Sequence, residues 1–310
     1  MRILAALLLA LAALLATSEA AAQACTASAP ALWFGNVTTP LPQVDIAPPI
    51  TISCNNGPAN ATARICVGIQ PSGVARQMQH LPAGSVGYEL YADPGRTQVW
   101  DDNPLRTVLV PLDGAGNGSA TVTLYARMPG GTSPASGAYE APAPEIVFGT
   151  IKPGNSPCTS GGSTGSFTAA SLQASVLVNG ACDITAAPLL DFGAVFGGTT
   201  TQLDGALQLT ARCTNTLPYT IALNAGQVPG NTIADRRLGL DGTGPGAIGY
   251  QLYLDAGRSQ LWGDGSVGAV HDGTGNGADQ LITVYGRIPA GQPLPAGGTY
   301  RDTVTATIVY

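Results

Sequence analysis

Apolar and polar residues alternate along much of this chain. Within 62–69, Ala63, Ile65, Val67 and Ile69 fall on one face, because side chains two apart share a face of a strand. The same period of two runs through 207–213, 219–223, 248–254, 281–285 and 304–310. β-Branched and aromatic residues fill these runs, which marks half-buried strands. Gly, Pro, Asn and Asp interrupt them at short intervals. Many short antiparallel strands predict an all-β chain of immunoglobulin-like β-sandwiches. No amphipathic helix is expected beyond the N-terminal leader.

Self-comparison gives the domain count. Cys25 and Phe34-Gly35 recur as Cys182 and Phe192-Gly193, and Cys54 recurs as Cys213. Tyr88, Tyr91, Asp93, Arg96 and Trp100 recur as Tyr250, Tyr253, Asp255, Arg258 and Trp262. The turn starting at Asp113 matches the one at Asp272, and Tyr125-Ala-Arg-Met-Pro129 matches Tyr285-Gly-Arg-Ile-Pro289. The offset holds near about 160 residues, so one domain is present twice. We expect a signal peptide over 1–24, an N-terminal domain over 25–150, a linker plus strand over 151–180, and a C-terminal domain over 181–310.

Six cysteines allow fifteen pairings. The repeat favours Cys25 with Cys54 and Cys182 with Cys213, each pair inside its own copy. Cys66 and Cys158 have no counterparts, and the simplest assignment joins them. Residues 149–165 read as a linker rich in Gly, Ser and Thr. Residues 166–178 that follow are apolar and strand-competent, and nothing comparable precedes Cys25.

The N-terminus sets the compartment. Met1-Arg2, an apolar run over 3–16 and small residues over 19–24 read as a secretory signal, cleaved after Ala22 or Ala24. The run falls short of the roughly 20 residues a membrane span needs. An even cysteine count agrees with an exported, oxidising setting. Only 10% of the 310 residues are charged, while 41 Gly and 24 Pro argue against helices. A net charge of −6 excludes the basic stripe that nucleic acid requires.

Catalytic chemistry is poorly supplied. His80 and His271 are the two histidines, neither recurs in the repeat, and no Gly-x-Ser-x-Gly stands near them. Both read as solvated loop residues. The Asp-Gly-x-Gly-Asn-Gly turns carry too few charged oxygens for tight calcium binding, and read as hairpin turns with Asn and Gly at positive φ. The repeated Tyr and Trp residues read as core. Asp93 with Arg96, and Asp255 with Arg258, read as salt bridges. No cofactor, metal or catalytic residue is expected.

The combination of Cys182, Phe192-Gly193, Cys213, Arg237, Tyr250-Gln-Leu-Tyr-Leu-Asp255, Trp262, Tyr285-Gly-Arg-Ile-Pro289, Gly298-Thr-Tyr-Arg-Asp-Thr-Val-Thr305 and Tyr310 resembles the spore coat protein U domain. It is similar to subunits of archaic, Csu-type chaperone–usher pili. The first copy keeps Cys25, Cys54, Arg76, Tyr88, Tyr91, Asp93, Trp100 and the 125–129 motif, but departs over 139–148. The resemblance implies incomplete sandwiches of the pilin type, each a strand short and completed by a donor strand. It implies a periplasmic pilus chaperone, an outer-membrane usher and a neighbouring pilin subunit as partners.

On that basis residues 166–178 are expected to complete the first domain in cis, with Phe167, Leu172, Val176 and Val178 filling its groove. The second domain, ending at Tyr310, is expected to accept a strand in trans. That polarity implies a two-domain tip adhesin, secreted through the periplasm to the cell surface, acting in attachment and biofilm formation. Adhesive contacts to an abiotic or host surface are sought where the copies differ, at Trp33, Val37, Leu41, Val99, Trp100 and Leu105. Two alternatives stand beside this reading. One is a structural spore-coat or cell-surface protein. The other is a secreted β-sandwich hydrolase.

Overall fold

A computed structural model describes residues 22–70, 75–194, 201–293 and 295–310. The expected leader therefore lies almost wholly outside the described residues. Among the described residues every regular element is a strand, and no helix is long and apolar enough to cross a membrane. The alternating runs form the predicted strands. Thr62–Gln70, for instance, buries Ala63, Ile65, Val67 and Ile69. The run over 304–310 forms a shorter strand, Ala306–Val309.

Two cores divide the chain. The N-terminal one gathers Phe34, Ile50, Ile65, Leu90 and Trp100, and extends to Leu172, Ala174, Val176 and Val178. The C-terminal one gathers Tyr219, Ile221, Tyr250, Leu252 and Trp262. Around the first, a five-stranded sheet runs Leu32–Val37, Ala174–Val178, Gly137–Glu140, Gln77–His80, Gly84–Gly87 in spatial order. A four-stranded sheet runs Ala170–Leu172, Glu145–Lys152, Thr62–Gln70, Arg106–Pro111. A second four-stranded sheet and a three-stranded one complete this sandwich.

Around the second core, a six-stranded sheet runs from Cys182–Ala186 through Leu203–Cys213, Asp279–Ile288, Gly246–Tyr253 and Arg236–Leu240 to Tyr300–Arg301. A three-stranded sheet, His271–Thr274, Pro218–Leu223 and Ala306–Val309, faces it. All six cysteines are paired, as Cys25–Cys54, Cys66–Cys158 and Cys182–Cys213. The first and third join facing residues of adjacent antiparallel strands.

The repeated Phe-Gly pair has a local cause. Phe34 is buried, and the register between Leu32–Val37 and Ala174–Val178 shifts at this point. Gly35 has φ +94°, where a side chain would be strained. The two units join through residues 179–181, which are pinned on both sides. Asn179 N–H donates to Val37 O at 2.8 Å, and Ala181 N–H donates to Thr214 Oγ1 at 3.0 Å. Ala135 bridges Asn215, and Thr39 meets Thr214 across the joint.

Candidate functional site: a filled groove and an open one

Residues 166–178 run along the whole N-terminal sandwich as three short strands. Ser166–Thr168 lies parallel to Ala24–Ser28. Ala170–Leu172 lies antiparallel to Glu145–Lys152. Ala174–Val178 lies between Leu32–Val37, parallel to it, and Gly137–Glu140, antiparallel to it. Backbone bonds tie down both walls: Leu32 N–H donates to Gln173 O at 2.8 Å, and Ala141 N–H donates to Ala174 O at 2.9 Å. These walls would otherwise carry unpaired donors and acceptors.

Leu172, Ala174, Val176 and Val178 are each at most 1% exposed. Burying the three larger side chains is worth on the order of 5–8 kcal/mol, as an upper estimate. Phe167 is half-buried, and its ring covers Gly149, where a Cβ would stand 2.7 Å from it. Ala174 was missing from the sequence-derived set, although strict alternation between Leu172 and Val176 points to it.

The C-terminal unit lacks any strand at the matching place among the described residues. Tyr300–Arg301 pairs only with Arg236–Leu240, and Ala306–Val309 only with Pro218–Leu223. Phe192 is half-buried where its counterpart Phe34 is 2% exposed. Ile308, opposite Ile221, is half-buried where Ile151, opposite Ile65, is 1% exposed. Leu190, Val304 and Ala306 are also left partly uncovered. The result is an apolar trough bordered by two strands that each have a free edge among the described residues.

A carboxylate anchors the break between those edge strands. Asp302 accepts from the N–H groups of Gln227, Val228 and Thr303, from Asn231 Nδ2 and from Tyr250 Oη at 2.7 Å. Burial, aided by this carboxylate, pushes the Tyr250 hydroxyl pKa far up. In the N-terminal unit Glu145 takes the equivalent role. It is fully buried, accepts from Tyr88 Oη at 3.4 Å, and lies opposite Leu172. The departure over 139–148 thus keeps an acid bonded to the matching tyrosine, but at the start of the following strand, Glu145–Lys152.

Several sequence expectations need correction. Arg237, named with the family motif beside Arg76 of the first copy, is not the structural counterpart of Arg76; the neighbouring Arg236 is buried in that place. Arg236 donates to Trp262 O at 3.1 Å, as Arg76 donates to Trp100 O at 3.3 Å. Arg237 is exposed and pairs with Asp235. Asp93 does not pair with Arg96. Its carboxylate accepts the N–H groups of Thr97 and Gln98, and those bonds hold its pKa below the usual carboxylate range. Asp255 does the same with Ser259 and Gln260. Arg96 instead joins Asp45 and Arg127, and Arg258 joins Asp204 and Arg287. In the glycine-rich turns only Gly116 and Gly277 adopt positive φ, not the asparagines.

The histidines are not solvated loop residues. His80 packs its ring 5.4 Å from Tyr139 and sets Nδ1 3.0 Å from Ala138 O. His271 lies in a strand between Tyr219 and Trp262, and burial lowers its pKa. Among the described residues no group of three or more His, Cys, Asp or Glu could hold a metal ion.

The six candidate adhesive residues separate by burial. Val37, Leu41 and Trp100 are 7%, 3% and 1% exposed, so they offer nothing to a surface. Val37 and Leu41 serve the packing near the inter-unit joint, and Trp100 lies under Arg106, 4.8 Å from its ring. Val99 and half-buried Leu105 line a cleft of about 620 Å³ with Pro94, Gln98, Pro104 and Arg106. Trp33 stands 49% exposed on a sheet face, as the second residue of its strand and not in a loop.

Comparisons with known proteins agree with this architecture. The profile of the Spore Coat Protein U domain matches residues 10–141 and 168–307. "Protein U" of Myxococcus xanthus is 34% identical over 153 residues, covering 46% of this chain and 84% of that protein. Among solved structures, the CsuC–CsuE chaperone–tip adhesion subunit complex of Acinetobacter baumannii Csu pili aligns at TM-score 0.54 and 16% identity. That alignment covers 92% of this chain and 100% of the matched one. The CupB6 tip adhesin of Pseudomonas aeruginosa aligns over 93% of this chain and 94% of its own, at 14% identity and TM-score 0.35, too loosely to compare residues. With the profile matched in both halves and a relative above 30% identity, the chain belongs to the Spore Coat Protein U domain family.

Proposed function

We propose that this chain is a non-enzymatic subunit of a chaperone–usher pilus and stands at its tip as the adhesin. The observation that carries this reading is the contrast between the two grooves. The N-terminal unit is filled by residues 166–178 of its own chain, while the C-terminal unit leaves an apolar trough between free strand edges. Free edges of this kind template pairing with another strand. A subunit that accepts a strand while its own is engaged can only end a fibre.

On this reading the expected signal peptide sends the chain to the periplasm. A periplasmic chaperone covers the C-terminal trough there, and an outer-membrane usher passes the subunit on. The next subunit's N-terminal strand then replaces the chaperone. The N-terminal unit becomes the head, contacting an abiotic or host surface and supporting biofilm. Likeness to a chaperone–tip subunit complex supports the chaperone as partner.

The test is periplasmic co-expression with the candidate chaperone. A stable one-to-one complex is expected, from which a synthetic N-terminal strand of the next subunit displaces the chaperone. A full chain that is soluble and monomeric without either partner would refute the incomplete C-terminal fold. A second reading, a structural coat protein, is suggested by the match to the Spore Coat Protein U domain. Surface protein that is never incorporated into fibres, seen by immunogold microscopy, would select it.

A further inference from the structure

The register of the five-stranded sheet places five outward-facing residues in one row. Trp33 faces Ser175, Ser175 faces Glu140, Glu140 faces Gln79, and Gln79 faces Ser85. Each lies next to inward residues: Leu32 and Phe34, Ala174 and Val176, Tyr139 and Ala141, Met78, and Val86 are all at most 6% exposed. Alternation therefore turns all five outward, with Trp33, Glu140 and Ser85 exposed and Ser175 and Gln79 half-buried between them. With strands about 4.8 Å apart, the row crosses about 19 Å of the head.

Trp33 is the exception among three tryptophans. Trp100 and Trp262 are at most 1% exposed, while Trp33 is 49% exposed. Its repeat position in the C-terminal unit is Asp191, so the feature belongs to the head alone. Among the described residues the side chains of Ser175, Glu140, Gln79 and Ser85 make no hydrogen bond to other groups, nor does the Trp33 indole. An indole with an open face, followed by a hydroxyl, a carboxylate, an amide and a hydroxyl, matches the chemistry of a sugar chain. The ring covers the C–H face of a pyranose, and the polar groups exchange hydrogen bonds with its hydroxyls. No cation stands in the row and one carboxylate does, which repels uronate or sulfate polymers.

We propose that this row is a binding platform for a neutral polysaccharide chain lying across the sheet. The proposal gives a ligand class to the adhesive head and so rests on that reading, but the geometry can be tested without pili. The probes are a soluble β-glucan, a mannan and chitin oligosaccharides, with alginate as the anionic comparison. Binding to the purified full-length protein in complex with its chaperone, which covers only the C-terminal trough, is read by affinity electrophoresis and calorimetry. At least one neutral probe is expected to bind, and alginate to bind less. Trp33→Ala should weaken binding about tenfold or more, which is about 1.4 kcal/mol, and Gln79→Ala severalfold. Both side chains point outward, so thermal midpoints should hold.

Absence of binding to every neutral probe would overturn the proposal. So would equal binding by Trp33→Ala, tighter binding of alginate, or dissociation of a dimer on Trp33→Ala, which would make a second copy the occupant. Pilus assembly is scored separately. Fibres that carry the chain but ignore neutral glycans would sink the platform and leave the tip reading intact. A chain that binds glycan yet never enters a fibre would do the reverse.

Discussion

Each unit holds an ionisable residue withdrawn from water, Glu145 fully buried and His271 half-buried, and the two point in opposite directions. Glu145 is fully buried, and desolvation raises its carboxyl pKa even though Arg76 lies 3.6 Å away. Arg76 cannot neutralise it fully because it also pairs with Glu89 and Asp101. The folded state thus holds the Glu145 proton more tightly than the unfolded chain, and its contribution to stability grows as pH falls toward 4.5. For His271 burial lowers the pKa below 6.5, so the unfolded chain binds that proton more readily and stability falls as pH drops through 6.5. Melts between pH 7.5 and 5 should show the C-terminal unit losing stability while the N-terminal unit gains. Glu145→Gln should flatten the N-terminal trend, and His271→Phe the C-terminal one. Parallel trends in both units would refute the assignment. These residues were hard to read in the sequence for a common reason. Asp93 and Arg96 are neighbours in the chain, yet Arg96 finds its partner at Asp45, on a strand that only the fold brings close. The choice between Arg236 and Arg237 likewise depended on which face of one strand turned inward.

At the level of elements, residues 166–178 were the most legible part of the candidate site, because the segment has no counterpart before Cys25. Its exact partners were not legible. Sequence cannot say that one segment pairs in turn with four strands, since that follows from the crossing of Gly137–Glu140 into Glu145–Lys152 between sheets. The inward side of the segment carries its stabilising role. Val176→Asp buries an unpaired charge and should cost the N-terminal unit about 3 kcal/mol or more. Ser171→Asp, on the exposed side, should stay within about 0.5 kcal/mol. Urea unfolding of both variants checks this, and equal effects would show that the segment's facing is wrong. The Cys66–Cys158 link closes 92 residues and ties Thr62–Gln70 to the stretch just before this segment. Replacing both cysteines with Ala should lower stability by about 4.6 kcal/mol on the chain-entropy account. A loss below 1 kcal/mol would mean the unfolded chain is already held compact there.

Across the whole molecule, the repeat was readable but the joint between copies was not. Thr39, Ala135, Thr214 and Asn215 are small or polar residues without any pattern, and they acquire meaning only when two sandwiches meet end to end. The strand Ala174–Val178 and the strand Cys182–Ala186 are separated by only three residues. Load on the C-terminal unit therefore enters the N-terminal unit through the segment that completes it. That segment lies parallel to Leu32–Val37 and antiparallel to Gly137–Glu140, so a pull along its axis must shear several backbone bonds together. The pinning of residues 179–181 keeps that pull aligned with the strand. Inserting a Gly-Ser spacer after Asn179 should leave both unfolding transitions unchanged, because neither core loses a residue. It should broaden the distance distribution in small-angle scattering and lower the force at which the head opens in single-molecule pulling, because the load no longer runs along the strand. An unchanged distribution would mean that the contacts of Ala135 and Thr39 do not hold the units in line. Equal opening forces would mean that the head resists load by some route other than its completing strand.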